Sequence, residues 1–171
     1  SVAAAAEQQS RVVYIPTCYG GEFGPELPFV ASNAGLEPAE VIRIHTSTAY
    51  KLYMIGFTPG FPYLGGMSEK IATPRLQKPR TCIPAGSVGI AGTQTGLYPM
   101  ESPGGWQLIG RTPLKVFNPA AANPFLYVAG DYLKFEPVSP EEYAAIAEEV
   151  AAGRYRPRIE PWVQLQGGEV Q

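Results

Sequence analysis

His45 is the only histidine in a chain of 171 residues, and Asp131 is the only aspartate. Histidine is the side chain whose ordinary pKa best suits proton transfer near neutral pH. His45 also runs directly into HTSTAYKLYMIGFTPGF, which ends in glycine and proline, and this makes it the candidate catalytic residue. The competing and commoner reading is a lone histidine held by hydrogen bonds for structural reasons. A Ser-His-Asp triad could draw only on His45 and Asp131, and no GxSxG elbow offers the nucleophile, so a self-contained triad is disfavoured. Zinc needs three or four Cys, His or carboxylate ligands around one point. One histidine and two distant cysteines, Cys18 and Cys82, announce no such site, so no metal is expected. The sequence has neither a GxxxxGK[ST] phosphate loop nor a GxGxxG after a strand, so no cofactor is expected to bind this chain through those cradles.

Arginine recurs beside proline, in Thr73-Pro74-Arg75 and Lys78-Pro79-Arg80, and Arg111 follows Gly110. A guanidinium fork suits a carboxylate or phosphate, and proline presents it rigidly. The glycine-rich segment 84–96 could add backbone N–H groups to the same anion. Arg75 and Arg111 are therefore expected to bind the anionic end of a substrate, against the bland reading of solvated arginines. Segments 56–66 (GFTPGFPYLGG) and 99–112 (PMESPGGWQLIGRT) carry Phe57, Phe61, Tyr63 and Trp106, with Tyr98 just ahead of the second. Turn chemistry alone explains glycine and proline there. Yet glycine also lets backbone approach a ligand, and aromatic rings wall a pocket. Phe57, Phe61, Tyr98, Gly104, Gly105 and Trp106 are expected to line a ligand or partner surface.

Positioning these residues requires strands. Segment 11–16 (RVVYIP) reads as the first, and 50–57 (YKLYMIGF) as the most regular. Shorter runs at 87–92, 106–110, 114–117 and 132–135 have the spacing of a barrel or sandwich. Segment 18–25 reads as a turn-rich loop, and 58–66 as too rich in Gly and Pro for regular structure. Short helices are expected at 26–33, closed by Gly35, and at 38–46, begun by Pro38. Their spacing is that of a DNA-binding pair, but PAEVIRIHT offers only Arg43 to bases and phosphates, so no nucleic acid is expected. A last helix at 140–152 has Ser139 as cap and Glu142 as capping-box partner, and its apolar stripe is Tyr143, Ile146, Ala147 and Val150. The basic run 154–158 opens a tail in which Trp162, Val163 and Leu165 could dock.

Composition narrows the class. Gly (19) and Pro (18) together are nearly twice their usual share of about 12%, too many helix breakers for a helical bundle. A hydrophobic share of 45% with only 16% charged residues argues against general disorder. The balance of 13 basic against 15 acidic residues gives a net charge of −2, which argues against nucleic acid. No apolar run approaches the ~20 residues that span a bilayer, so no membrane association is expected. Two unpatterned cysteines point to a reducing cytoplasm. Residues 1–10 read as a linker or expression remnant, 11–153 as the domain and 154–171 as a tail.

Long motifs then carry a family resemblance: Ile15-Pro16-Thr17-Cys18-Tyr19-Gly20-Gly21-Glu22-Phe23-Gly24-Pro25, the GFTPGFPYLGG stretch, Thr73-Pro74-Arg75, PAGSVGIAG from Pro84, QTGLYP from Gln94, and SPGGW from Ser102 through Gly110-Arg111-Thr112. Together they resemble the family of the bacterial 5-oxoprolinase B subunit, also named allophanate hydrolase subunit 1 or the Kip-type inhibitor of a sporulation histidine kinase. The resemblance implies a mainly β fold, a cyclophilin-like barrel with a few short helices and one C-terminal helix. It also implies a smaller α/β domain ahead of the barrel, which this chain lacks. By function it implies one component of an ATP-dependent amidohydrolase that opens 5-oxoproline to glutamate with an A subunit and a homologous C subunit. The assembled complex would use ATP, and the site would be shared with the C subunit. Within it His45 would transfer protons or hydrogen-bond, Arg75 and Arg111 would hold anions, and Gln94 and Tyr98 would orient the substrate. The runner-up is a non-enzymatic inhibitor of histidine kinase autophosphorylation, with the glycine and aromatic loops as its docking surface.

Overall fold

The protein is described as a computed structural model covering residues 10–55 and 62–163. In chain order the elements are β1 (Arg11–Tyr19), α1 (Leu27–Ala34), α2 (Pro38–Thr46), β2 (Tyr50–Ile55), β3 (Pro62–Gly65), a 3-10 turn (Glu69–Ile71), β4 (Arg80–Ile83), β5 (Ser87–Ala91), β6 (Gln94–Leu97), β7 (Ser102–Gly104), β8 (Gln107–Arg111), β9 (Tyr132–Pro137), α3 (Pro140–Ala151) and β10 (Ile159–Pro161). The main sheet runs β3-β2-β9-β1-β8-β5-β6, with β10 attached to β1. Its end strands β3 and β6 come together, so the sheet curls into a nearly closed barrel. Strands β4 and β7 form a separate two-stranded ribbon. This is the mainly β, barrel-shaped fold with short helices that the sequence predicts.

Strand β1 is the hub. One edge pairs in parallel with β9 from Val12 to Thr17, and the other pairs antiparallel with β10 at Arg11–Val13 and with β8 at Cys18–Tyr19. Both edges and both faces are covered, which is why Val12 through Cys18 are all buried and why the run reads as continuously apolar. Val13 and Ile15 enter the main core with Leu52, Val88, Ile109, Leu133 and Phe135. Helices α1 and α2 add Leu27, Val30, Ala31, Val41 and Ile44 to that cluster. Gly35, at φ 71°, turns the chain between them. The helical pair therefore serves packing. Helix α3 has the expected reciprocal cap, Glu142 N–H to Ser139 Oγ at 3.0 Å and Ser139 N–H to Glu142 Oε1 at 2.8 Å. No residue of α3 is fully buried, so it lies along the outside, with Ile146 and Val150 against the core.

Several expected boundaries move once pairing is known. Pro62–Gly65 forms β3 where irregular chain is expected, because an edge strand tolerates a proline that cannot donate to a ladder. Strand β1 continues through Cys18 and Tyr19 because β8 supplies partners there. Segment 114–117 is not a strand; a lone bridge joins Phe117 to Phe125. The chain after α3 folds back, with β10 on β1 and Trp162 stacked on Tyr132 at 3.6 Å between ring centres. Leu165 lies outside the described residues.

One glycine is required by space alone. After β1 the chain passes so close to β8 that a Cβ on Gly24 would sit 2.0 Å from the Ile109 carbonyl oxygen. Gly24→Ala is expected to destabilise the protein by about 3 kcal/mol, because rigid backbone is the obstacle. Thermal denaturation checks this, and an unchanged melting temperature would show that the two segments separate freely.

Candidate functional site

His45 ends α2 and is fully buried. Its ring lies among residues of four strands: Tyr19 of β1, Tyr50 of β2, Thr95 of β6 and Phe135 of β9. The Thr95 hydroxyl donates its single hydrogen to the Gly89 carbonyl at 2.9 Å, so toward His45 it accepts. His45 Nε2, 2.8 Å from Thr95 Oγ1, therefore carries the proton. Nδ1 accepts from the Tyr19 hydroxyl at 2.6 Å. Burial with no counter-charge lowers the imidazole pKa to about 3, and burial pushes the Tyr19 phenol well up. The Tyr50 hydroxyl donates to the His45 carbonyl at 2.8 Å. Asp131 is elsewhere, paired with Arg11 through two hydrogen bonds at 3.1 and 2.7 Å. His45 and Asp131 thus form no triad. A neutral imidazole with both nitrogens engaged and no surface of its own joins α2 to the barrel.

The other expected residues fall into two groups. At one end of β8, Trp106 and Tyr98 meet edge to face at 6.1 Å and join Ile83, Ala91 and Leu108 in a second, smaller core. The Arg75 guanidinium lies over the Trp106 ring at 5.9 Å. Arg75 is exposed and makes no ion pair among the described residues. Arg80 is instead tied to Glu26, whose other oxygen accepts Leu108 N–H at 2.8 Å. Burial raises the Tyr98 phenol, with Arg75 and Arg80 pulling the other way. A Cβ on Gly104 would meet the Tyr98 hydroxyl at 2.5 Å, and Gly105 accepts Leu76 N–H at 2.7 Å. Glycine in SPGGW thus lets the β7 ribbon lie flat on Tyr98 and the Arg75 segment. Gln94 starts β6 after a two-residue turn whose Gly92 is bridged to Thr73, so it sits at this same end and is exposed.

Arg111 lies at the far end of β8, five residues from Trp106 and so about 16 Å along the strand. Its guanidinium stands over Phe23 at 5.6 Å. The structure does not bring Arg75 and Arg111 into one anion site. Phe57 and Phe61 fall outside the described residues. Sequence reading missed Thr95, Tyr19 and Glu26, which come from 50, 26 and 54 positions away from the residues they hold, and no local pattern links them. The Arg75 end can seat an anion: an exposed cation on an aromatic face, beside a buried phenol and close-packed glycine backbone.

Comparison with known proteins gives this geometry a setting. A family described as carboxyltransferase domain, subdomain C and D, matches residues 1–127. The 5-oxoprolinase B subunit of Bacillus subtilis (strain 168) is 59% identical over 143 residues, which are 84% of this chain and 60% of that protein. The protein of the same name from Escherichia coli O157:H7 is 50% identical over 133 residues, 78% of this chain and 61% of that one. Among solved structures, the conserved uncharacterized protein PH0987 from Pyrococcus horikoshii superposes with a TM-score of 0.75 at 57% identity, over 77% of this chain and 61% of that one. The chain spans about three fifths of the length of these relatives.

The buried imidazole has a measurable consequence. Folding lowers its pKa from 6.5 to about 3, so between those values the unfolded chain binds a proton that the folded chain does not. Its stabilising contribution is complete above about pH 6.5 and is lost as pH falls, by about 1.4 kcal/mol per unit. Glutamine can offer one donor and one acceptor without titrating. Between pH 7 and pH 4.5, urea denaturation is expected to show the wild type losing about 2.5 kcal/mol more stability than His45→Gln. Equal losses would mean that His45 is not held neutral.

Proposed function

The chain belongs to the carboxyltransferase-domain family of subdomains C and D, and from that membership we propose that it serves as the barrel portion of a 5-oxoprolinase B subunit. In this reading it is one part of an ATP-dependent amidohydrolase that adds water across the lactam bond of 5-oxoproline. The C–N bond breaks, the nitrogen takes a proton, and glutamate results. A homologous C subunit completes the site, the A subunit is the further partner, and the assembled complex uses the ATP. The two free cysteines are in keeping with a cytoplasmic location, and among the described residues no helix is long and apolar enough to cross a membrane.

The observation that carries the reading is Arg75, held over Trp106 without an ion-pair partner among the described residues, in a chain 59% identical to a named 5-oxoprolinase B subunit. The substrate is a carboxylate, and a guanidinium fork beside an aromatic wall suits it. Tyr98, Gly104, Gly105 and Trp106 shape the same face, and Gln94 stands at its rim. His45 contributes by positioning: its neutral ring ties Tyr19 and Thr95, and so fixes β6 against β1, without touching substrate. The domain boundaries belong to the same proposal, with residues 11–153 as the working unit.

The test is ATP-dependent glutamate release from 5-oxoproline by the A and C subunits with and without this protein. Release is expected to require it. Arg75→Ala is expected to raise KM for 5-oxoproline about tenfold to a hundredfold, the loss of one charge-assisted pair, at an unchanged melting temperature. Release that proceeds equally well without this protein overturns the reading, and an unaltered KM removes Arg75 from the site.

A further inference from the structure

Arg111, Ser87 and Cys18 form one row across three adjacent strands. Arg111 of β8 is directly opposite Ser87 of β5 on one side and Cys18 of β1 on the other. Directly opposed residues project from the same face of a sheet. That face is the outer one: the neighbouring pair, Val88 and Gly110, faces inward, with Val88 in the main core. Phe23, in the loop after β1, lies against the Arg111 guanidinium at 5.6 Å, and Tyr143 of α3 packs on that ring, the two ring centres 4.6 Å apart. Gly86, at φ 86°, lets the turn before β5 lie against the chain leaving β8, since a Cβ there would meet the Thr112 carbonyl oxygen at 2.5 Å.

Two polar groups in this row lack partners. Ser87 is fully buried and its Oγ has no hydrogen bond among the described residues, and the buried Nε of Arg111 has none among them either. Arg111 makes no ion pair among the described residues. Native proteins rarely leave one buried polar group unpaired, and two side by side call for an explanation. Arg111 Nε is cationic and can only donate, and the Ser87 hydroxyl can donate to the same group, so one acceptor with negative charge would satisfy both.

We propose that Arg111 and Ser87 form a carboxylate-binding subsite on the outer face of the barrel, walled by Phe23 and Tyr143 and separate from the Arg75 face. The Nε edge of a guanidinium takes a carboxylate side-on, and the Ser87 hydroxyl completes the donor set. The aromatic pair suits a ligand with an apolar body. Glu22 and Glu141 lie close enough to raise the Cys18 thiol beyond the effect of its burial. Their charge penalises a dianion more than a monoanion, which favours carboxylate over phosphate. The subsite depends on neither ATP nor partner proteins, so it stands independently of the oxoprolinase reading.

The test is thermal denaturation of the purified protein in the Arg75→Ala background, titrated with sodium acetate, sodium benzoate or inorganic phosphate at matched ionic strength. Acetate and benzoate are expected to raise the melting temperature saturably, with benzoate acting at lower concentration. Ser87→Ala and Arg111→Lys are each expected to weaken that response at least tenfold. Ser87→Ala should leave the ligand-free melting temperature unchanged or higher, because it removes an unpaired buried hydroxyl. A lower ligand-free melting temperature in Ser87→Ala would mean that Arg111 donates to Ser87 internally, and would overturn the subsite. So would a response to phosphate alone, the absence of any saturable response, or a response that Ser87→Ala retains.

Discussion

His45 carries a titratable ring to a place where a charge could not be solvated, and its two nitrogens are answered by Tyr19 on β1 and Thr95 on β6. Much else is arranged around that constraint. Thr95 must accept from the ring, so its own hydrogen goes to Gly89 on the neighbouring strand. Tyr50 and Phe135 lie against the ring, and the Tyr50 hydroxyl holds the backbone carbonyl of His45. Each of these groups comes from a different part of the sheet. A neutral imidazole with two correctly oriented partners therefore sets helix α2 against four strands together. Hydrogen bonds buried this deeply are costly to break singly, because the group left behind cannot turn to water.

The barrel built around that ring leaves two distinct chemical ends on β8. At the Trp106 end, a second small core holds the β4–β7 ribbon down and presents Arg75 to solvent on an aromatic face. At the Arg111 end, the strand reaches the loop after β1 and helix α3, and a second guanidinium meets Phe23. Glycine makes both approaches close. Gly24 admits the loop against the Ile109 carbonyl, and Gly104 admits the ribbon over Tyr98. The high glycine content thus serves contact between segments as much as turning.

The capping box at Ser139, the αL glycine at position 35, the proline that starts α2 and the apolar run of β1 were all legible, because each depends on neighbours a few residues away. The strand at Pro62–Gly65 was not, since its proline is tolerated only because the strand is at the end of the sheet path. The ribbon of β4 and β7 was missed for a similar reason: β4 is four residues between Pro79 and Pro84, β7 is only Ser-Pro-Gly, and the two make sense only as a pair.

For the site, residue types alone determined that this protein has one imidazole, no phosphate loop of standard form, and arginines with aromatics in its glycine-rich segments. They also carried the family resemblance, since long motifs are local strings. Only the tertiary structure decided what those residues do together. It took His45 out of reach of solvent, gave Arg80 to Glu26, and left Arg75 exposed over Trp106. It also put Arg111 beside Ser87 at the opposite end of a strand. The physical reason is that burial and pairing come from strand register and packing between segments dozens of residues apart, and no short stretch of chain encodes which distant partner it will meet.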